Sequence, residues 1–585
     1  MGAIPYSGGV TFRVWAPFAD AVYVAGEFNN WQPPANPLAF ETAGYWSVDV
    51  DGAEAGQQYK FVISRNGEYL WRIDPYAKHV TNSAGNGIVT DSSFDWGDQV
   101  FYAPAWHEMV IYEIHTGSFN DQTPGSPGFY DSVREKLPYL RDLGINTIEI
   151  MPTSEFPGGF SLGYNPCDIF AVESDYGGPL ELKRFIRDAH ANGIAVLLDV
   201  VYNHLGPNDL PTWRFDGWYE NSGGGIYFYN DWRGGSPWGP RPDYGRPEVR
   251  QFLRDNLLMW AEEFRFDGFR YDATSYIRSV YGDHGELADG WNLLRWMNDE
   301  LQAHQAWKIT ISEDLRNDAW LTRPTDWGGA GFDTQWDGDF VHPVRAALTN
   351  PFDQYRDMNA VAQALYHRYG TDALERVVYT ESHDEVAGIN AKQRLPSDID
   401  GGNPTSWYAR KRSMLGGALV FTAPGIPLIF QGQEYLETGP WRDSVPLNWD
   451  NVTRNAGVLR MYRDLIRLRR NWYDNTRGLR GQNINVHHVN NDAKVLAFHR
   501  WEQGGAGDDV VVVCNFADSA WDSYTIGVPR EGLWRVRFNS DSNLYSGDFG
   551  NHAAFDAYAE QSGYDGMPCR LSIGVGPYSA VILSQ

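Results

Sequence analysis

Four short stretches place carboxylates directly after strand-like runs: DVVYNH (199–204), FRYDAT (269–274), SED (312–314) and ESHDE (381–385). A parallel-barrel enzyme builds its site from the C-terminal ends of its strands. Acids recurring at four such ends, with His204, Arg270 and His383 beside them, therefore read as one converging cluster. A lone Asp after a strand is more often a turn or helix-cap residue, and that reading is kept for Asp267, Asp314 and Glu385. The chemistry that facing carboxylates suggest is glycoside transfer with retention. One attacks the anomeric carbon; a second, held protonated, donates to the leaving oxygen and later takes a proton from the acceptor. The two groups are expected ~5 Å apart. Arg270 and Asp272 stand two apart and leave the same strand face, where the guanidinium would keep the carboxylate ionised. In the same segment Arg265 and Asp267 are expected to serve the strand's entrance and local pairing.

The elements that must position these groups follow from pattern. Residues 1–100 alternate in period two (TFRVWAP, AVYVAGEF, GYWSVDV, QYKFVIS) between turn signals, which predicts a small β-sandwich. DPYAKHVTNSAGNG (74–87) then reads as a linker. From about 105 to 480 the rhythm becomes strand, loop, helix. The strand-like runs are MVIYEI, NTIEIM, IAVLLDV, FDGFRYD, WKITIS, GFDTQW, RVVYTE and IPLIFQ. Helical spacing appears in PEVRQFLRDNLLMWAEEF, WNLLRWMNDELQ, LKRFIRDAHANG and SWYARKRSMLGGALVF. Eight such units predict a (β/α)8 TIM barrel; an open doubly wound sheet is weaker, because no GxGxxG turn follows the first strand. An excursion over 203–245, rich in Gly and Trp, is longer than the scaffold needs and is expected to be functional. Residues 485–585 return to alternating strands and predict a closing β-domain. The fold class is thus α/β, with all-β domains at both ends.

Composition narrows the partners. The chain has 48 basic and 75 acidic residues, a net charge of −27, which disfavours nucleic acid and anionic membrane surfaces. Aromatic residues make up 15%, with 24 Trp, and flat rings with a polar handle suit sugar faces. Cys167, Cys514 and Cys569 are far apart, which argues against a disulfide framework or zinc site. The start, MGAIPYSGGV, lacks the features of a secretory signal. The apolar run 413–430 is broken by two prolines and three glycines, and predicts a buried helix then a buried strand rather than a membrane span. The expectation is a cytoplasmic protein.

DVVYNH, GFRYDAT, SED and ESHDEV, in that order, resemble the four short conserved regions of the α-amylase family of glycoside hydrolases. The resemblance spans nearly the whole chain, and the four motifs together are highly specific. It implies a barrel with a small domain inserted after the third strand. It implies Asp272 as nucleophile, Glu313 as general acid/base and Asp384 as transition-state stabiliser. His204, Arg270 and His383 would contact the sugar, with Asp199 as support. Tyr164, in LGYNPCDIF, matches a tyrosine that packs on the same sugar; Leu162 stands where Trp is common. Asn203 is similar to a calcium ligand of amylases, but no metal is assigned, and no cofactor is implied. The implied partner is an α-1,4-glucan such as glycogen, amylose or maltooligosaccharides.

The amino-terminal VWAPFADAVYVAGEFNNW resembles the carbohydrate-binding module of branching, debranching and trehalohydrolase members; Trp31 either binds glucan or fills a core, and the structural role is preferred. The motifs then split. ESHDEV is similar to the SHDEV of branching enzymes, whereas DVVYNHLGP is more like hydrolases and trehalohydrolases. Branching, with transfer of an α-1,4 chain to a 6-OH, is the favoured reading. Hydrolysis, by a maltooligosyltrehalose trehalohydrolase or an α-amylase-like enzyme, is the alternative. A binding protein that has lost catalysis is a third reading, opposed by the presence of all three carboxylates.

Overall fold

Every residue of the eight central strands is buried, the pattern of strands covered by helices outside and by side chains within. Ile111–Ile114, Thr147–Ile150, Ala195–Val200, Gly268–Tyr271, Ile309–Ser312, Thr334–Trp336, Arg376–Val378 and Ile426–Phe430 pair in parallel in that order. The last closes on the first, with Leu428 opposite Ile111. Each coincides with a run read from the sequence. The computed structural model describes residues 1–98, 100–123 and 125–585.

The covering helices follow the expected periodicity with one difference. Pro247–Leu258 carries proline in its first turn, where a missing N–H is harmless, and buries Val249, Phe252, Leu253 and Leu257. The pattern predicts that it continues to Phe264. Instead Met259–Glu263 is a π-helix, whose wider turn brings Glu263 to Lys183 (2.9 Å) and Lys78 (2.5 Å). Trp407–Thr422 is buried on nearly all sides, is capped by Ser406 and leads into Ile426–Phe430, as the run 413–430 predicted. Among the described residues no helix is long and apolar enough to cross a membrane.

The stretch 74–87 is not a free linker. Ile73, Ala77 and Val80 pack with Ala171, and the buried Asp74 accepts a hydrogen bond from Tyr59 Oη (2.6 Å). Its polar composition looked solvated, but its few apolar side chains fall on one side and meet the barrel. The amino-terminal strands form two sheets, Gly2–Tyr6, Gly9–Trp15, Tyr45–Asp51 and Ala39–Phe40 in one, Ala21–Gly26, Gln58–Arg65, Glu68–Arg72 and Gly87–Ile88 in the other. They sit on the 203–245 excursion: Phe18 stacks on Trp218 (4.6 Å), Trp15 meets Tyr227 edge-on (5.6 Å), and Arg72 donates to the carbonyls of Phe215 and Arg214. Part of that excursion is therefore a seat for the amino-terminal sheets.

The carboxy-terminal strands form a six-stranded sheet and a two-stranded one. An ion pair, Lys411 Nζ to Asp541 Oδ1 (2.6 Å), joins them to the helix Trp407–Thr422, with both side chains almost fully buried. Removing one partner of such a pair leaves an uncompensated charge. Lys411→Met is expected to cost about 3–5 kcal/mol and to lower the urea midpoint; an unchanged midpoint would show that the tie is not structural.

Candidate active site

The site is organised around one buried cation. Arg270 lies in the strand Gly268–Tyr271, has no exposed surface, and faces the barrel axis. Its Nη1 donates to Asp199 Oδ2 (2.5 Å), Asp272 Oδ1 (2.9 Å) and Tyr164 Oη (3.2 Å); its Nη2 lies 3.6 Å from Glu313 Oε2. The Trp336 ring, from the sixth barrel strand, covers the guanidinium at 4.5 Å. A charge this deep is tolerable only because carboxylates surround it.

Beyond the strand the backbone turns sharply. Ala273 adopts a left-handed conformation (φ 41°, ψ 52°), unfavourable for a residue with a Cβ. Glu313 holds that turn: Ala273 N–H donates to its Oε2 (2.6 Å), and Thr274 N–H donates to its backbone carbonyl (2.8 Å). The strain therefore sits between Asp272 and Glu313 and fixes one relative to the other. Asn203 Nδ2 donates to the remaining oxygen of Asp272 (2.8 Å). Asn203 is thus engaged with the carboxylate, and among the described residues no group of His, Cys, Asp and Glu is arranged to hold a metal.

A cleft of about 660 Å³ opens at the C-terminal ends of the strands, lined by Tyr164, His204, Asp272, Glu313, His383 and Asp384 among others. Arg270 and Asp199 lie beneath this lining rather than in it. Asp384 is the most open of the three acids, its side chain 45% exposed. Leu162 lines the cleft where an aromatic side chain was noted as missing. Tyr164 stacks on His383 (4.9 Å) and donates to Asp199 Oδ2 (2.5 Å). His204 is held by the Tyr164 carbonyl (2.8 Å), and burial lowers its pKa, which favours the neutral ring. All eight residues singled out in the sequence therefore meet in one place. Asp267, Asp314 and Glu385 do not line it as acids free to react: Asp267 accepts from His190 (2.8 Å), Asp314 from Arg278 (2.8 Å), and Glu385 pairs with Lys392 (3.1 Å).

Electrostatics separates the acids. Burial, reinforced by the negative fields of Asp272 and Asp384 and opposed by Arg270, pushes the Glu313 carboxyl up to about 8. It is protonated at neutral pH. His383 goes the other way: burial would lower it, but Asp384 and Glu113 overcome this and raise it to about 9, so the ring is an imidazolium. Glu113 was not singled out in the sequence. It sits in the first barrel strand, pairs with His383 Nδ1, and accepts from the His383 N–H (3.1 Å). Opposite it in register is Glu149, also missed, which is buried and whose carboxyl is pushed up by desolvation and by the charges of Glu113 and Asp199. The signal for both was a lone acid inside an otherwise apolar strand, a place where an unpaired charge is not tolerated.

Such an arrangement, with one carboxylate clamped by a guanidinium and a second carboxyl held protonated across a strained turn, can perform a double displacement at a glycosidic carbon. If Glu313 donates the proton, kcat/KM should be flat through neutral pH and fall about tenfold per unit above a pKa near 8. An alkaline limb near the ordinary carboxyl range would contradict it.

The family model of carbohydrate-binding module 48 (isoamylase N-terminal domain) matches residues 1–77. That of the α-amylase catalytic domain matches 113–232, and that of the α-amylase C-terminal all-β domain matches 486–585. Over 98% of its length the chain is 30% identical to the 1,4-alpha-glucan branching enzyme GlgB of Pseudoalteromonas atlantica, covering 81% of that protein. The chain belongs to the GlgB family, within the α-amylase fold. A second member, GlgB of Thiobacillus denitrificans, is 31% identical over 98% of the chain and 80% of its own length. Among solved structures, the pullulanase of Anoxybacillus with maltotetraose superposes with a TM-score of 0.77 at 21% identity, covering 100% of this chain and 87% of that one. The pullulanase of Paenibacillus barengoltzii with maltohexaose and alpha-cyclodextrin gives 0.77 at 20%, covering 100% and 95%. At that identity the likeness is one of fold, and it gives this GlgB-family chain the same barrel.

Proposed function

We propose that the protein is a retaining 1,4-α-glucan branching enzyme. The observation that carries this is the kinship with GlgB proteins over 98% of the chain, together with a protonated Glu313 facing Asp272 across Arg270. Asp272 attacks the anomeric carbon while Glu313 protonates the departing chain; a β-glycosyl ester forms as the α-1,4 bond breaks. Glu313, now ionised, takes the proton from an incoming glucan 6-OH, whose oxygen displaces Asp272 to give the α-1,6 branch. Asp384, open to the cleft and next to the His383 imidazolium, stabilises the oxocarbenium-like charge. Tyr164, His204 and His383 bind the sugar. Arg270 and Asp199 act from beneath, holding Asp272 in place. The division into 1–100, 105–480 and 485–585 belongs to the same reading, and the separate sheets at the two ends support it. So does a cytoplasmic location, with Cys167, Cys514 and Cys569 all free and buried.

Incubation with linear amylose tests the proposal. Proton NMR should show new α-1,6 anomeric signal with little rise in reducing ends. A large rise in reducing ends without branches would make it a hydrolase, and release of trehalose from maltooligosyltrehalose would make it a trehalohydrolase.

A further inference from the structure

Within the 203–245 excursion a tight hairpin separates two cavities. Gly235 bridges Pro240, Ser236 N–H donates to the Gly239 carbonyl, and Arg241 N–H donates to the Gly234 carbonyl (2.8 Å). Trp238, at the tip, lines the cleft and lies against His204 (5.5 Å) and Tyr276 (4.9 Å). Pro240 and Gly234 line a second hollow of about 520 Å³, walled by Trp213, Trp232, Tyr229 and the turn Asn221–Gly224. Two residues span at most ~7 Å, so the cleft and the hollow are one hairpin apart.

We propose that this hollow is a carbohydrate subsite that holds the same glucan chain beyond the cleft. The inference rests on the branching reading for the identity of the chain. Three observations carry it. The first is charge. The only carboxylate in the lining is Asp231, which Arg233 clasps at 2.7 Å, so the hollow offers no free carboxylate to a charged ligand, and its other polar side chains, Asn221, Ser222 and Asn230, are neutral. That suits a polyol. The second is aromatic surface. Trp232 is 64% exposed and, among the described residues, stacks on no other ring; Trp213 is 37% exposed. Rings left open beside backbone and amide groups fit the alternating apolar and hydroxyl faces of glucose. The third is construction. A Cβ on Gly224 would come within 2.6 Å of Phe228 and 2.7 Å of Trp213, so glycine is needed there for Trp213 to line the wall. Trp238 and Trp232, six residues apart on one hairpin, then offer successive platforms to a chain leaving the cleft.

The subsite should matter only to chains long enough to reach it. Trp232→Ala removes an exposed ring without opening the core. It is expected to raise KM for long amylose about fivefold with kcat unchanged, to leave both constants for maltotetraose unchanged, and to shift transferred chains to different lengths. Trp232→Phe should restore most of the loss. Equal effects on long and short substrates, or no effect on either, would overturn the proposal. Binding separates this from the reaction itself: in Glu313→Gln protein, calorimetry with maltodecaose should show weaker association when Trp232→Ala is added. If the wild type forms no product from any α-glucan, the branching reading falls; an unchanged maltodecaose affinity would remove the subsite.

Discussion

Glu313→Gln is expected to lower turnover of amylose about 10²–10⁴-fold while glucan affinity stays within about threefold. The amide keeps the shape of the carboxyl and can still accept the Ala273 N–H, so the strained turn survives. What is lost is the proton that must reach the leaving oxygen. The effect also has a sign in stability. Because the folded state holds Glu313 protonated up to about pH 8, its contribution is fully present below the unfolded carboxyl pKa and disappears as pH rises through about 8. The wild type should therefore lose stability over that window more steeply than the Gln variant. Retained activity in the variant, measured as branch formation, would move the acid/base role elsewhere.

Arg270→Met is expected to have the other large effect, on folding as well as activity. The guanidinium is fully buried and reaches three carboxyl groups, those of Asp199, Asp272 and Glu313. Without it Asp199, nearly fully buried and already pushed up to about 7 by that burial, has no cation beside it and must take up a proton or stay an uncompensated charge, at a penalty of up to about 3–5 kcal/mol. Activity should collapse, because Asp272 would lose the guanidinium that holds its carboxylate in place. Adding Asp199→Asn to Arg270→Met should recover part of the stability and none of the activity. That split distinguishes a buried-charge penalty from a general packing defect; if the double variant is no more stable than the single one, the electrostatic account is wrong.

Much of this was readable in the sequence. The eight barrel strands were legible because a strand buried on both faces must be written in Ile, Val, Leu and aromatic residues. The site was legible because catalysis needs ionisable groups at the ends of those strands, where polarity interrupts the run: Asp199, Asp272, Glu313 and Asp384 all stand at such breaks. Glu113 was not, since its partner His383 lies 270 positions away, and no local pattern encodes a pairing between the first and seventh strands. Nor did any local signal mark Trp336; only the closed barrel puts its ring over Arg270. The stretch 74–87 misled because two apolar side chains, Ala77 and Val80, packed with Ile73 and Ala171, are enough to dock a segment whose composition is that of a loop. The excursion 203–245 was marked as functional from its length alone, which could not show that one part of it carries the amino-terminal sheets while another borders the cleft.

The closure of the last barrel strand on the first sets a timetable for synthesis. Ile111–Ile114 can find its second neighbour only when Ile426–Phe430 has been made, roughly three hundred residues later. At about 5–20 residues per second the growing chain spends about 15–60 s with an open, apolar strand edge. His383 and Glu113, on either side of that seam, also meet only late, since His383 lies 270 positions after its partner. The amino-terminal sheets are complete in sequence before this interval begins, and the nascent barrel is most exposed to aggregation until its eighth strand arrives.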